Sequence, residues 1–249
     1  MSEEAKIKSL GKALRVLDCF MTRSEWGVTE LSEALGLNKS NAHDILSTFE
    51  MFGYLDQNES TGKYRLGYHV LELAHALSSS MGFRKTVYPH MKLLADQTGE
   101  TVYLGVPDGY DVVYLDAAYP GQETITRAML GERAPMYCTG IGKAILSRMS
   151  ESDWQKVASQ SLERFTVATI TDGSALLYEL SQIRARGYSV DNMEHEYGIR
   201  CVGVPVLNSR GNVVAGLSIS GPSPRMSDEK IILYSEGLKR IAGTVSVYF

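Results

Sequence analysis

Cysteine is scarce in this sequence of 249 residues, which contains only Cys19, Cys138 and Cys201. The three are odd in number, lie far apart and form no Cys-x-x-Cys pair. A disulfide framework needs paired cysteines, and a thiolate zinc site needs closely spaced ones. This scarcity argues against both, so we expect no structural metal and no cofactor.

Long apolar runs are missing too. No stretch approaches the roughly 18 apolar residues of a membrane span, and the first residues, MSEEAKIK, carry no apolar signal segment. The formal net charge of −4 does not indicate binding to an anionic membrane surface. We therefore expect a cytoplasmic protein with no membrane partner.

The most informative segment is residues 28–66, which predicts two short helices, a tight turn and a β-hairpin. Thr29 is a favourable N-cap, and Glu30 puts negative charge in the first turn. Gly36 follows the first helix, at a position where a left-handed backbone conformation is common. Asn38 can cap the second helix. Strand alternation on both sides of residues 57–62 predicts the hairpin. This order is typical of a winged helix-turn-helix.

Apolar spacing predicts the buried face of each helix. The buried positions are Leu31, Ala34 and Leu35 in the first helix, and Ala42, Ile45, Leu46 and Phe49 in the second. The opposite face of the second helix carries short polar side chains that can bond to phosphates and base edges. The residues expected at double-stranded operator DNA are Lys39, Ser40, Asn41, His43, Asp44 and Ser47, with Lys63 and Arg65 on the wing.

The charge of this segment argues against that interpretation. Residues 1–67 contain ten Asp or Glu and eight Lys or Arg, whereas DNA-binding domains are usually basic. Asp44 would repel phosphate, so we interpret it as a solvated charge or as an acceptor for a cytosine amino group. The alternative is a protein–protein module built from the same helices and hairpin.

One helix is predicted before this unit and another after it. A first helix is predicted over residues 10–21. It packs behind the other two helices through Leu10, Ala13, Leu14, Leu17 and Phe20 or Met21. Residues 67–80 predict a helix that is apolar on more than one side. It either links two domains and contacts a second subunit, or packs within one domain. We therefore predict three parts: a winged helix-turn-helix domain over 1–67, a linker helix over 68–82 and a C-terminal domain over 83–249.

The C-terminal domain alternates helix and strand signals. Helices are predicted over 84–98, 141–149, 172–186 and 227–248, and strands over 100–106, 111–118, 188–192, 202–207 and 213–220. Turns at 107–110 and 208–212 join neighbouring strands, so the sheet is at least partly antiparallel. The predicted fold class is α+β, an antiparallel sheet flanked by helices.

Six segments together resemble the IclR family of bacterial transcriptional regulators. They are GKALRVLDCF (11–20), GKYRLG (62–67), RAPMYCTGIGKAIL (133–146), TITD (169–172), RARGYSVDNMEHEYGIRCVGVPV (184–206) and GLSISGP (216–222). The resemblance extends from residue 9 to about 225. It implies a winged helix-turn-helix, a linker helix and a GAF-like effector-binding domain. It also implies homodimers or homotetramers, with small keto, sugar or aromatic acids as effectors.

The resemblance further implies an effector site. Its residues are Gly140, Ile141, Asp191, Cys201, Ser218 and Ser220, with Cys138 and Ile141 replacing the alanine common in the motif. The amides of Gly140 and Ile141 at a helix start can hold a carboxylate. Ser218 and Ser220 are two apart in a strand and therefore face one side. We expect Tyr103, Met129 and Tyr137 to give the pocket its breadth.

Two other functions remain as alternatives. Asp191, His195 and Cys201 are close in sequence, but nothing puts the thiol at a helix N-terminus and no glycine-rich oxyanion turn follows. We expect His195 to be a solvated surface residue and the protein not to be an enzyme. Residues 140–143, GIGK, lack the glycine spacing and hydroxyl of a nucleotide-binding loop. A cysteine redox sensor on the same scaffold stays open beside the favoured function, a repressor whose operator binding responds to a small organic acid.

Overall fold

The computed structural model describes residues 5–80, 82–121 and 131–248. The chain forms two compact units, Met1–Met81 and Gly82–Phe249. Each unit has its own hydrophobic core. Within the described residues, no helix has both the length and the apolar composition that crossing a membrane requires.

The N-terminal unit contains helices and a two-stranded hairpin. Its elements are α1 (Lys8–Cys19), α2 (Val28–Leu35), α3 (Lys39–Met51), β1 (Leu55–Gln57), β2 (Tyr64–Leu66) and α4 (His69–Ser80). The two strands are antiparallel, with Asp56 opposite Arg65. The predicted helix-turn-helix and its wing are confirmed.

The N-cap of α2 is Gly27, and the prediction of Thr29 is wrong. The Gly27 amide donates to Glu30 Oε2 at 2.7 Å, which closes the first turn two residues earlier than expected. The rest of the predicted turn is present. Gly36 ends α2 with φ 62°, and Asn38 Oδ1 accepts the Asn41 amide at 2.8 Å.

Helix α1 and the residue after it bury only part of the predicted face, since Phe20 is buried and Leu17 packs against the core as predicted. Leu10 and Leu14 are about half exposed, whereas Val16 and Phe20 are buried. Val16 and Phe20 are four residues apart, so they form one stripe that joins the core of the unit. The buried members of that core are Val16, Phe20, Leu31, Leu46, Leu55 and Tyr64. Ala34, predicted to be buried, is exposed.

The C-terminal unit combines helices with a six-stranded sheet. Its elements are α5 (Phe83–Thr98), β3 (Thr101–Asp108), β4 (Asp111–Ala118), β5 (Arg133–Pro135), α6 (Gly140–Leu146), α7 (Glu151–Ala158), α8 (Gly173–Arg186), β6 (Ser189–Asn192), β7 (Ile199–Leu207), β8 (Val213–Pro222) and α9 (Asp228–Val245). Short 3₁₀ turns cover Met136–Cys138, Ser223–Arg225 and Ser246–Tyr248. The sequence did not predict β5 or α7, which are short and lack strong periodicity.

The sheet is antiparallel throughout its described strands, in the order β5-β4-β3-β8-β7-β6. Alternate residues of its strands face two separate cores. Val102, Val202 and Ile219 belong to the core that includes residues of α5 and α9, whereas Tyr103 belongs to the core of α6, α7 and α8. This architecture confirms the predicted α+β class with a winged helix-turn-helix and a GAF-like domain.

Helix α6 lies directly on the sheet because glycines face it. A Cβ on Gly203 would lie 2.4 Å from the Gly140 carbonyl oxygen, and one on Gly216 would lie 2.8 Å from Ile141 Cγ1. The Ser189 hydroxyl donates to the same Gly140 carbonyl. The start of α6 therefore contacts the backbone of β7 directly, and it is also held by the Ser189 hydroxyl of β6 and by the Ile141 side chain against β8.

Gly203→Ala should force α6 away from β7 and destabilise the C-terminal unit by about 1–3 kcal/mol, the usual cost of overpacking. Chemical denaturation followed by circular dichroism measures the change. Gly243→Ala is the matched control, because a Cβ at that α9 position meets nothing within 4 Å. Equal stability of the Gly203→Ala variant and the wild type would show that α6 adjusts without cost.

Candidate functional site

A row of polar side chains crosses the sheet beneath the start of α6. Asp191, Cys201, Ser220 and Thr101 are successive cross-strand partners on β6, β7, β8 and β3. The next row on the same face contains Ser189, Gly203, Ser218 and Tyr103. Because partners on one face lie close together, strand register alone assembles this polar surface.

These rows border a cavity of about 40 Å³, enough for a few water molecules. Five of the six predicted effector residues line it, namely Gly140, Asp191, Cys201, Ser218 and Ser220. The other lining residues are Tyr103, Tyr114, Thr139, His195, Glu196 and Ile199.

Two of the predicted residues, Ile141 and Tyr137, have other positions. The Ile141 side chain is buried against the sheet, where its Cδ1 lies 3.1 Å from the position of a Cβ on Gly105. The Tyr137 hydroxyl donates to the Glu163 carbonyl at 2.7 Å, and Tyr137 is not among the lining residues. Met129 lies outside the described residues.

The sequence analysis missed the roles of several lining residues. Thr139 carried a local signal, since a threonine before a helix is a frequent N-cap, and its hydroxyl accepts the Gly142 amide at 3.1 Å. Tyr114 had no local signal in the sequence, because only strand pairing brings it to the cavity. His195, expected at the solvated surface, is half-buried, with its ring 5.0 Å from that of Phe165.

Cys201 is half-buried, and its thiol lies beside Ser220, with 2.8 Å between Sγ and Oγ. Burial and the neighbouring Asp191 carboxylate raise the pKa of Cys201 well above its usual range. Burial also raises the pKa of Cys138. Since the thiolate is the reactive form, this environment keeps both thiols unreactive.

The Asp191 carboxyl is almost fully buried at the cavity wall. Burial, with a further contribution from the Glu194 carboxylate, raises the pKa of Asp191 to about 7. Lys143 and the backbone amides of Glu194 and His195 oppose this shift. The Glu194 amide donates to Asp191 Oδ1 at 2.7 Å. This carboxyl therefore changes charge near neutral pH.

Behind the cavity lies a buried ion pair that the sequence analysis did not predict. Lys143 on α6 is 1% exposed, and its ammonium donates to Glu194 Oε1 at 2.5 Å and to the Val190 carbonyl at 2.7 Å. Glu179 on α8 lies 3.9 Å from the same nitrogen. The pair fastens α6 to the loop between β6 and β7.

The loop between β6 and β7 forms part of the cavity wall, and hydrogen bonds from two threonines hold it as well. Thr166 Oγ1 donates to the Met193 carbonyl, and Thr169 Oγ1 donates to the Glu194 carbonyl, each at 2.6 Å. Met193 has φ 62°, a left-handed conformation that costs energy for a side chain of this kind. The surrounding hydrogen bonds hold this strained turn in place.

The predicted DNA-facing residues form one surface on α3 of the N-terminal unit. Lys39, Ser40, His43 and Asp44 are exposed, and Asn41 and Ser47 are half-buried. The side chain of Asn38 already accepts the Asn41 backbone amide, which leaves the Asn41 side chain to other partners.

Both predicted wing cations are engaged in ion pairs within the unit. Lys63 Nζ lies 3.0 Å from Glu30 Oε1, and Arg65 contacts Asp56 through Nε and a terminal nitrogen at 3.0 and 2.7 Å. The Gly27 amide, Lys63 and Arg23 lower the pKa of Glu30 to about 2. Glu30 therefore ties the start of α2 to the wing.

No group of three His, Cys, Asp or Glu side chains suited to a metal ion occurs in the described part of the chain.

Comparison with known proteins places this architecture in one family. The model of the IclR helix-turn-helix domain matches residues 9–59, and that of the bacterial transcriptional regulator IclR C-terminal domain matches residues 75–247. The chain belongs to the IclR family of bacterial transcriptional regulators.

Individual relatives align with nearly the full length of this chain. The HTH-type transcriptional regulator XynR of Escherichia coli is 35% identical, over 94% of this chain and 94% of the relative. The acetate operon repressor of Salmonella typhimurium is 31% identical, over 91% and 84%. An IclR homologue from Microbacterium hydrocarbonoxydans, crystallised with 4-hydroxybenzoate, superimposes with a TM-score of 0.82 at 25% identity, over 96% and 97%.

Lys143→Met should destabilise the C-terminal unit by about 3–5 kcal/mol, because it leaves the Glu194 carboxylate buried without its cation. Denaturant unfolding of the purified protein measures the loss. The double variant Lys143→Met/Glu194→Gln removes both charges and should recover part of the stability. If the double variant is as unstable as the single one, packing of the lysine stem matters more than the charge.

Proposed function

We propose that this protein is a ligand-responsive transcriptional repressor. A small organic acid binds the cavity of the C-terminal unit and thereby changes the affinity of the N-terminal unit for operator DNA. The observation that carries this proposal is the convergence of Asp191, Cys201, Ser218 and Ser220 on one small, largely enclosed cavity. A pocket with a few placed polar groups is typical of small-molecule sites.

The DNA-binding part of the proposal rests on α3 and the wing. The exposed polar residues of α3 have the size and donor–acceptor character that major-groove contacts need. We assign base contacts to Ser40, Asn41 and His43, and phosphate contacts to Lys39 and Arg65. Arg65 would exchange its partner Asp56 for phosphate, because an exposed ion pair contributes little to stability.

The effector part rests on the chemistry of the cavity. Ser218 and Ser220 line it together with Gly140, whereas the Thr139 hydroxyl is engaged with the Pro135 carbonyl and the Gly142 amide. These groups suit a molecule with a carboxylate and a second oxygen. The 4-hydroxybenzoate complex of the Microbacterium homologue supports an organic acid as the effector.

We further propose that the protein acts in the cytoplasm as a homodimer or homotetramer on a pseudo-palindromic operator. Leu71, Leu73 and Leu77 on α4 are about half exposed or more, which supports contact between α4 and a second subunit. Effector binding would favour one arrangement of the paired helices and so change the spacing of the two DNA-reading units.

A redox sensor is the weaker alternative. Burial and a neighbouring carboxylate, Asp18, raise the pKa of Cys19, and the pKa values of Cys138 and Cys201 are also raised by burial. Oxidation favours thiolates that are both ionised and accessible. The described environments therefore support a metabolite sensor over a thiol sensor, and they equally disfavour a cysteine nucleophile.

Asn41→Ala should weaken specific operator binding by about 1–3 kcal/mol, because it removes a side chain placed at base edges. Folding should be unchanged, since the cap of α3 uses the Asn41 backbone amide. Fluorescence anisotropy with an operator selected from random DNA measures the affinity. Glu33→Ala, on an exposed position of α2, is the control. Unchanged affinity of the Asn41 variant would remove this residue from the interface.

Arg65→Ala should weaken binding to all DNA sequences alike and reduce the slope of log affinity against log salt by about 1. Asp56→Asn should act in the opposite direction, because it frees Arg65 for phosphate. Titrations at several salt concentrations, with operator and unrelated DNA, separate these effects. A slope that is the same in all three proteins would mean that the wing does not touch phosphate.

Ser218→Ala/Ser220→Ala should abolish the response to the effector and keep DNA binding, since the hydroxyls lie in the C-terminal unit. Calorimetry with pyruvate, gluconate and 4-hydroxybenzoate identifies an acid that binds the wild type. The amide of that acid should bind much more weakly, because a hydrogen bond to a charged group is about twice as strong as a neutral one. Ser181→Ala on the exposed side of α8 is the control. Equal affinity in the double variant would locate the acid elsewhere.

A further inference from the structure

The cavity that we propose for an acid contains carboxyl groups but neither lysine nor arginine among its described lining residues. Asp191 and Glu196 both line it. The nearby ammonium of Lys143 lies behind the wall and is bonded to Glu194 and to the Val190 carbonyl. An anion entering this space would face carboxylates without an opposing cation in the described part of the wall.

A second carboxylate cannot share a small, buried space with an ionised one at low cost. The Ser218 and Ser220 hydroxyls can donate hydrogen bonds, but they carry no charge, and the Thr139 hydroxyl already donates to the Pro135 carbonyl. The amides at the start of α6 supply only partial charge, so a proton on a group at the wall would give the full neutralisation. The candidates are Asp191, which is almost fully buried, and His195, which is half-buried.

The surroundings favour the carboxyl of Asp191. Its Oδ1 is occupied by the Glu194 amide at 2.7 Å, which fixes the orientation of the group. Titratable groups face Asp191 from each neighbouring element: Lys143 of α6, Glu194, His195 and Glu196 of the β6–β7 loop, Cys201 of β7, Tyr114 of β4, Tyr103 of β3 and Cys138 of the turn before α6. In this set the Glu194 carboxylate favours the neutral form of Asp191, and Lys143 opposes it.

We propose that the acid effector binds together with one proton, which is held between the Asp191 carboxyl and the carboxylate of the bound molecule. This inference rests on the proposed function, because it requires that an acid occupies the cavity. When Asp191 is ionised in the free protein, solvent supplies the proton as the anion enters. When Asp191 is already protonated, the anion binds without further uptake. Protonated Asp191 then donates a hydrogen bond to the ligand.

Asp191→Asn mimics the protonated state. The amide oxygen of the substituted side chain can still accept the Glu194 amide, and its NH₂ group can donate to the ligand. This variant should therefore bind the acid without taking up a proton. Its affinity should stay constant with pH, whereas that of the wild type should fall about tenfold per pH unit once Asp191 ionises near pH 7.

The experiment is calorimetry with pyruvate, gluconate and 4-hydroxybenzoate at pH 6.0 and 8.5, each in two buffers of different ionisation enthalpy. For the acid that binds, we expect nearly one proton taken up by the wild type at the higher pH and much less at the lower pH. The wild type should bind about 30-fold more weakly at pH 8.5 than at pH 6.0. At pH 8.5 the Asp191→Asn variant should bind more tightly than the wild type and take up no proton.

Two matched variants locate the proton. Glu196→Gln should keep the linkage of the wild type, and so should His195→Gln. Loss of proton uptake in His195→Gln with retention in Asp191→Asn would overturn the assignment to Asp191. Binding without proton uptake by the wild type at pH 8.5 would overturn the inference and leave the proposed function intact. Binding of none of the three acids would instead contradict the proposed function, and the inference with it.

Discussion

Direct contact between α6 and the sheet is the constraint on which the rest of the C-terminal unit depends. Gly203 has no side chain, so the Gly140 carbonyl lies directly against β7, where it accepts the Ser189 hydroxyl, and Gly216 leaves room for the Ile141 side chain. A helix held at an ordinary side-chain distance would leave a wide, wet groove above the strands. Close contact instead leaves a small cavity whose walls are the polar rows of β6, β7 and β8.

The buried Lys143–Glu194 pair extends this constraint to the loop that borders the cavity. The pair joins α6 to the residues after β6, and Thr166 and Thr169 hold the same loop from outside. An ion pair in such a place is costly to desolvate, so its contribution is better understood as fixing one arrangement than as adding stability. The strained backbone of Met193 fits this interpretation, since it persists only where neighbours determine it.

The sequence alone predicted the features that depend on neighbouring residues. The cap at Asn38, the left-handed Gly36 and the shared face of Ser218 and Ser220 follow from local spacing. Features that depend on distant contacts were out of reach. Lys143 and Glu194 are 51 residues apart, and Tyr114 reaches the cavity through strand pairing. The buried face of α1 was only partly predicted for the same reason, because two apolar stripes compete and only tertiary packing selects Val16 over Leu10 and Leu14.

Helix α3 packs only a small part of its surface against the core of the N-terminal unit. Ala42 and Leu46 are its fully buried residues, whereas Lys39, Ser40, His43 and Asp44 extend into solvent. Those exposed positions can change one at a time with little effect on stability. With α3 assigned to DNA and the cavity to an effector, as proposed above, two copies of a duplicated gene could diverge in the DNA that they bind while retaining one cavity, or diverge in the cavity while retaining one operator. The two specificities of such a protein can evolve separately.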